Sequence, residues 1–210
     1  MNETIFLGFF SSLLEGNKEK CCEIVTRLLE EKYDIRDIYL NLFQKSMYGI
    51  GKKWEKQEIT IATEHIASQI IKHLMSIVAE SAPKKTPVNK TIVLFCIDKE
   101  FHELGIKMIS DIFEINGWTS YFVGANTPTK CILSELDHIK PELIGISFNY
   151  YMNLSRFFSA MDAIKEQLPD VKVIVGGQAL AETGLEVLSR YSYTIYLRDL
   201  EETEKYILSF

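Results

Sequence analysis

Apolar positions in the first eighty residues recur every three or four places. Ile5, Phe6, Phe9, Phe10 and Leu13 form one stripe. Cys21, Ile24, Val25, Leu28 and Leu29 form a second. Ile35, Ile38, Tyr39, Leu42, Phe43 and Met47 form a third, and Ile66, Ile70, Leu74, Ile77 and Val78 a fourth. This period belongs to amphipathic helices. Gly16 closes the first stripe, and four helices with short connections predict an up-and-down bundle over residues 1–82.

The rhythm changes after residues 81–89, SAPKKTPVN, where two prolines and a lysine pair interrupt any apolar period. Residues 83–89 read as a linker. From 90 to 210, short runs rich in Ile and Val alternate with helical stretches. Strands are expected at 91–96, 118–123, 143–147, 171–175 and 194–196. Helices are expected near 104–115, 128–139, 153–168 and 181–189, with a last one from Leu200. Such alternation predicts an α/β domain with a five-stranded, parallel, doubly wound sheet covered on both faces.

Composition is that of a globular protein: 47% hydrophobic, 25% charged, with 11 Gly and 5 Pro. The longest apolar run, 92–97, is far short of the roughly 20 residues that cross a bilayer, so no membrane association is expected. The first residues, MNETIFLGFF, lack the basic region and cleavage site of a secretory signal. Cys21, Cys22, Cys96 and Cys131 have no framework spacing, so a reducing, cytoplasmic setting without disulfides is expected. Formal charge is −6; residues 1–88 are balanced, so the acidic excess falls on 89–210. Neither half has the basic surplus that attracts phosphate backbones, which argues against DNA binding by this chain alone.

Open α/β sheets bind ligands beyond the carboxyl ends of their strands. The loop after the first strand, IDKEFHELG, holds Asp98, Glu100, Glu103, His102 and Gly105. An acid near the histidine can hold one ring nitrogen and make the other a better metal ligand. As a single feature, the same loop also reads as solvated and polar. The second strand ends in VGANTP, with Gly124, Asn126 and Thr127. The third ends in SFNY, with Ser147 and Asn149, and the fourth in Gly176, Gly177 and Gln178. Neither G-x-G-x-x-G nor the Walker pattern is present, which disfavours a nucleotide dehydrogenase or a P-loop enzyme. In the helical region Trp54 follows Gly49-Ile50-Gly51, and Glu64 and His65 open the fourth helix. An ordinary core tryptophan and an acidic first turn would look the same.

Taken together, MYGIGKKWEKQEITIATEH, FHELG, VGANTP, S-x-N and the paired glycines resemble cobalamin-binding modules that join a helical cap to a flavodoxin-like sheet. The family motif D-x-H-x-x-G maps to Glu100-Phe101-His102-Glu103-Leu104-Gly105. The resemblance implies that His102 is the lower axial cobalt ligand, oriented by Glu100 or Asp98. It also implies that the nucleotide tail lies beside Ser147, Gly176 and Gly177. Gly105, Gly124, Asn126, Thr127, Asn149 and Gln178 complete the cobalamin-binding set. Glu100 stands where the family has Asp, and Asn149 where it has leucine or threonine, which changes the polarity of the tail pocket.

Trp54, nine residues, then Glu64-His65 is similar to the spacing in cobalamin photoreceptors, where these residues surround the upper adenosyl group. Glu55 stands where the DNA-binding receptors carry a histidine, and residues 1–15 read as the first bundle helix rather than a DNA-binding domain. The implied function is a stand-alone, non-enzymatic sensor. It would bind adenosylcobalamin, signal to an unknown effector protein and form a homo-oligomer. The chain is similar also to the photocobilins, which add a bilin such as biliverdin, and aromatics including Tyr48, Phe101, Tyr150 and Tyr151 would suit such a pocket. Two alternatives remain: a corrinoid methyl carrier of a methyltransferase system, and a tetrapyrrole-binding module without a light role.

Overall fold

The computed structural model describes residues 1–183 and 185–210, the side chains of 182, 183 and 185 excepted. The chain divides into two compact units, Met1–Pro83 and Lys84–Phe210.

The first unit is helical: α1 (Glu3–Leu14), α2 (Lys18–Glu30), a short α3 (Ile35–Asp37), α4 (Lys45–Glu55) and α5 (Ile61–Ser81). Side-chain caps start four of them: Asn2, Asn17, Asp34 and Thr60 each accept from a backbone amide of the first turn. The predicted apolar stripes meet in one core that includes Phe9, Leu13, Val25, Leu28, Tyr39, Phe43, Ile71, Leu74 and Met75. The third helix differs from the expectation. It runs from Ile35 to Glu55 and passes through a π-helical segment, Ile38–Gln44. The wider turn brings Ile38, Tyr39, Leu42 and Phe43 to the core together. Over four such positions a π-turn and an α-turn look alike in sequence.

The second unit is a five-stranded parallel sheet, ordered β2-β1-β3-β4-β5. Its strands are β1 (Thr91–Cys96), β2 (Thr119–Gly124), β3 (Leu143–Ser147), β4 (Lys172–Gly176) and β5 (Thr194–Tyr196). The helices are α6 (Leu104–Ile115), α7 (Thr129–Ile139), α8 (Leu154–Gln167), α9 (Gln178–Thr183) and α10 (Leu200–Ile207). Strands β2 and β4 each start and end one residue later than predicted. The predicted helix 181–189 is replaced by α9 and a 3-10 turn, Leu185–Leu188; residue 184 lies outside the described residues. The central strands β1 and β3 are buried along almost their whole length, as apolar runs in a doubly covered sheet must be. Register places Cys96, Ser147 and Gly176 side by side at the carboxyl ends of β1, β3 and β4. Strand order reverses between β1 and β3, and that crevice is where open sheets take ligands.

The stretch expected to be a loose linker is anchored to the second unit. The Lys85 amide donates to Ile115 O (2.8 Å), the Val88 amide to Gly117 O (2.9 Å), and Lys85 Nζ to Asn116 Oδ1 (2.8 Å). Gly117, at φ +86°, lets the chain pass; a Cβ there would collide with the Thr86 carbonyl oxygen.

All four cysteines are free thiols. Burial pushes the Cys96 thiol up to about 12, helped by the nearby Glu100 and Glu103 charges, and Cys21 up to about 11. A thiolate is the reacting form, so in native protein at about pH 8 a maleimide should modify exposed Cys131 first and Cys22 more slowly. Cys21 and Cys96 should react only after unfolding. Mass spectrometry of timed samples checks this, and early labelling of Cys96 would contradict the strand assignment. No described helix is long and apolar enough to cross a membrane.

Candidate functional site

The loop after β1 turns at Lys99, which takes a left-handed conformation (φ +62°) uncommon for a residue with a side chain. Two asparagines clamp both of its backbone polar groups. Asn126 Oδ1 accepts from Lys99 N (3.0 Å), and Asn153 Nδ2 donates to Lys99 O (3.1 Å). The turn sends the next residue, Glu100, inward, where it is 1% exposed.

A carboxylate so buried is stable only if donors surround it. Oε1 accepts from the His102 amide (3.0 Å) and from His102 Nδ1 (2.6 Å). Oε2 accepts from the amides of Asn149 (3.0 Å) and Tyr150 (2.9 Å). Burial alone would raise the Glu100 pKa. The hydrogen bonds from the His102 ring and from the His102 and Asn149 amides override it and hold the carboxyl below the usual range. Glu100 therefore stays ionised, and Nδ1 of His102 carries the proton. The other ring nitrogen, Nε2, belongs to a side chain that is 74% exposed.

Glu100 thus reaches both the imidazole and the loop after β3. Asp98, the other acid expected to orient His102, instead pairs with Arg156 (Oδ2 to Nη1, 3.0 Å). Glu103, whose part is not legible in the sequence, ties the loop after β2 to the same turn. Its Oε2 accepts from Ala125 N (2.9 Å) and would lie 2.7 Å from any Cβ at Gly124. Asn126 N donates to Glu100 O (2.8 Å), and Thr127 Oγ1 donates to Ala125 O (3.4 Å). Above Gly105, in the first turn of α6, a Cβ would meet nothing within 4 Å, so that side of the loop is open.

Gly177, at φ +116°, sits so close to Phe148 that a Cβ would collide with its carbonyl oxygen. A Cβ on Gly176 would lie 3.1 Å from Leu197 O. Asn149 bridges Ser147, His102 and Gln178 at the same place.

In the helical unit Trp54 lies one residue before the end of α4 and is 46% exposed. Glu55 beside it is exposed. Glu64 and His65 lie in the first turn of α5. Glu64 Oε2 accepts from His65 Nδ1 (2.6 Å), and Glu64 Oε1 from Ser68 Oγ (2.8 Å). The two histidines thus share one arrangement, a carboxylate on Nδ1.

Among the described residues no three His, Cys, Asp or Glu side chains group to hold a bare ion. One exposed, oriented imidazole suits a metal that brings its other ligands in a macrocycle, and the open side at Gly105 is compatible with a large planar group.

Two family profiles, both described as B12 binding domain, match the chain, one over residues 8–79 and the other over 90–204. The HTH-type transcriptional repressor CarA of Myxococcus xanthus is 25% identical over 179 residues. That match covers 83% of this chain but 58% of CarA, so the chain spans little more than half that relative's length. Trimethylamine corrinoid protein 1 of Methanosarcina acetivorans is 19% identical, with 86% of each chain covered. The structure of the Methanosarcina barkeri monomethylamine corrinoid protein superimposes with a TM-score of 0.84 at 17% identity, covering 100% of this chain and 99% of that one, a likeness of fold.

Proposed function

This chain belongs to the B12-binding domain family, matched in both its helical and its α/β unit, and on that footing we propose that it is a cobalamin-binding light sensor with His102 as the lower axial cobalt ligand. The observation that carries the reading is the His102 imidazole, exposed and oriented by a buried, ionised Glu100. A carboxylate on Nδ1 fixes the tautomer and raises the basicity of Nε2.

Bound adenosylcobalamin would supply a cobalt–carbon bond that visible light breaks. The residues of this chain do the rest. Glu100 holds the ligand imidazole. Trp54, with its large exposed indole, is assigned to the upper face together with Glu64 and His65, and the Trp–Glu-His spacing supports this. A group held by Trp54 would favour one of two arrangements of the protein, and moving that balance from 1:99 to 99:1 would need about 5.5 kcal/mol of differential contact. A formal net charge of −6 gives these 210 residues no basic surplus for a phosphate backbone, which supports a protein partner as the recipient of the signal.

One observation favours a second reading, a methyl carrier. The chain matches a trimethylamine corrinoid protein, 19% identical over 185 residues.

Size-exclusion chromatography of protein loaded with adenosylcobalamin in the dark, before and after green light, separates the two. Because free adenosylcobalamin is itself light-sensitive, the readout is the protein. The sensor reading expects a changed elution volume, abolished in Trp54→Ala. Identical profiles in light and dark would reject it in favour of the carrier. A far-red band on adding biliverdin would extend the sensor to a second tetrapyrrole.

A further inference from the structure

The side chain of Asn149 stands at the crevice between β1 and β3. Its Nδ2 donates to Ser147 Oγ (2.7 Å) and to His102 O (3.1 Å). Its Oδ1 accepts from the amide of Gln178, the first residue of α9 (3.1 Å). Both amide hydrogens and the carbonyl oxygen are thus engaged, and one side chain joins the loops after β1, β3 and β4. Beside it, Gly177 approaches the Phe148 backbone closely enough that a Cβ would collide with the Phe148 carbonyl oxygen.

We infer that Asn149 is a clasp over the slot beside Ser147 and Gly177, and that it must release Ser147 and Gln178 before a corrinoid carrying a nucleotide tail can seat. This rests on the cobalamin reading above and adds a specificity element to it. The His102 loop does not depend on the clasp, because the four hydrogen bonds that Glu100 accepts already tie it to the loop after β3. The clasp taxes tailed corrinoids selectively. A ligand that needs a minor, open form binds with an affinity reduced by the fraction of that form. A corrinoid without a tail needs only His102 and the open side at Gly105. Leucine or threonine at this position cannot make the same three bonds, since only an amide offers two donors and an acceptor together.

The test is stopped-flow absorbance with the full chain, mixing apoprotein separately with aquacobalamin and with cobinamide, which lacks the nucleotide tail. In Asn149→Ala the association rate for aquacobalamin should rise about tenfold, the scale of one or two hydrogen bonds lost from the closed form. The rate for cobinamide should stay within about twofold of the wild type. Asn149→Thr, which keeps a polar side chain, should behave in the same way and guards against a folding defect in the alanine variant. Equal changes with both corrinoids, or none with either, would overturn the clasp while leaving the cobalamin reading intact. Wild-type protein that shows no spectral shift with either corrinoid would overturn both.

Discussion

His102→Ala should lower cobalamin affinity by at least about tenfold while leaving the fold in place. The two effects separate because of where the residue sits. Its side chain is largely exposed, and its ring supplies one of the four hydrogen bonds that Glu100 accepts. Loss of that one bond costs about 1 kcal/mol of stability. Equilibrium titration followed by absorbance measures the affinity, and thermal unfolding monitored by circular dichroism measures the stability. Unchanged affinity would remove His102 from the site.

Glu100→Ala should have the opposite profile, a large loss of stability together with the loss of affinity. The substitution takes the acceptor from the amides of His102, Asn149 and Tyr150 and from the His102 ring, all in a buried setting. An unsatisfied buried donor costs about 1–3 kcal/mol, and since water can enter the space the sum is expected at about 2–4 kcal/mol. For a chain of this size that lowers the melting temperature of the α/β unit by roughly 5–15 °C. Glu100→Asp keeps the charge but is one methylene shorter. It can reach either the imidazole or the two amides of the β3 loop, so about half the loss is expected. A melting temperature unaltered in Glu100→Ala would mean that the carboxylate does not organise the loops.

The contrast between these neighbours shows what the sequence discloses. The strands were legible because buried parallel strands are unbroken runs of branched apolar residues, such as TIVLF and LIGIS. His102 was legible from a rule about strand ends, and its ligand role from a resemblance. The environment of Glu100 was not. Its partners Asn149 and Tyr150 lie 49 and 50 residues away, and only the alignment of β1 against β3 brings them together. The same holds for Lys99, whose unusual backbone depends on asparagines from two other loops. Asp98 illustrates the converse: it lies in the same loop as His102, yet it pairs with Arg156. The close approach of Gly177 to the Phe148 backbone, with φ at +116°, was likewise hidden, since it depends on β4 lying beside β3.

Stability and function also pull in different directions at this site. Glu100 and Asn149 hold the loops after β1, β3 and β4 in one arrangement without any ligand. Such preorganisation lowers the ordering cost for the group that meets His102 and raises it for whatever must enter beside Ser147.

The central claim is that the His102 imidazole coordinates cobalt, and electron paramagnetic resonance of the cobalt(II) form tests it most directly. Protein grown with nitrogen-15 histidine is loaded with unlabelled cobalamin and compared with unlabelled protein. An axial nitrogen-14 splits each cobalt line into three, and an axial nitrogen-15 into two. The account predicts that the triplets become doublets in the labelled protein and that the nitrogen splitting disappears in His102→Ala. Triplets that persist in the labelled protein would show that the axial nitrogen is the cofactor's own base, and the assignment of His102 would be wrong.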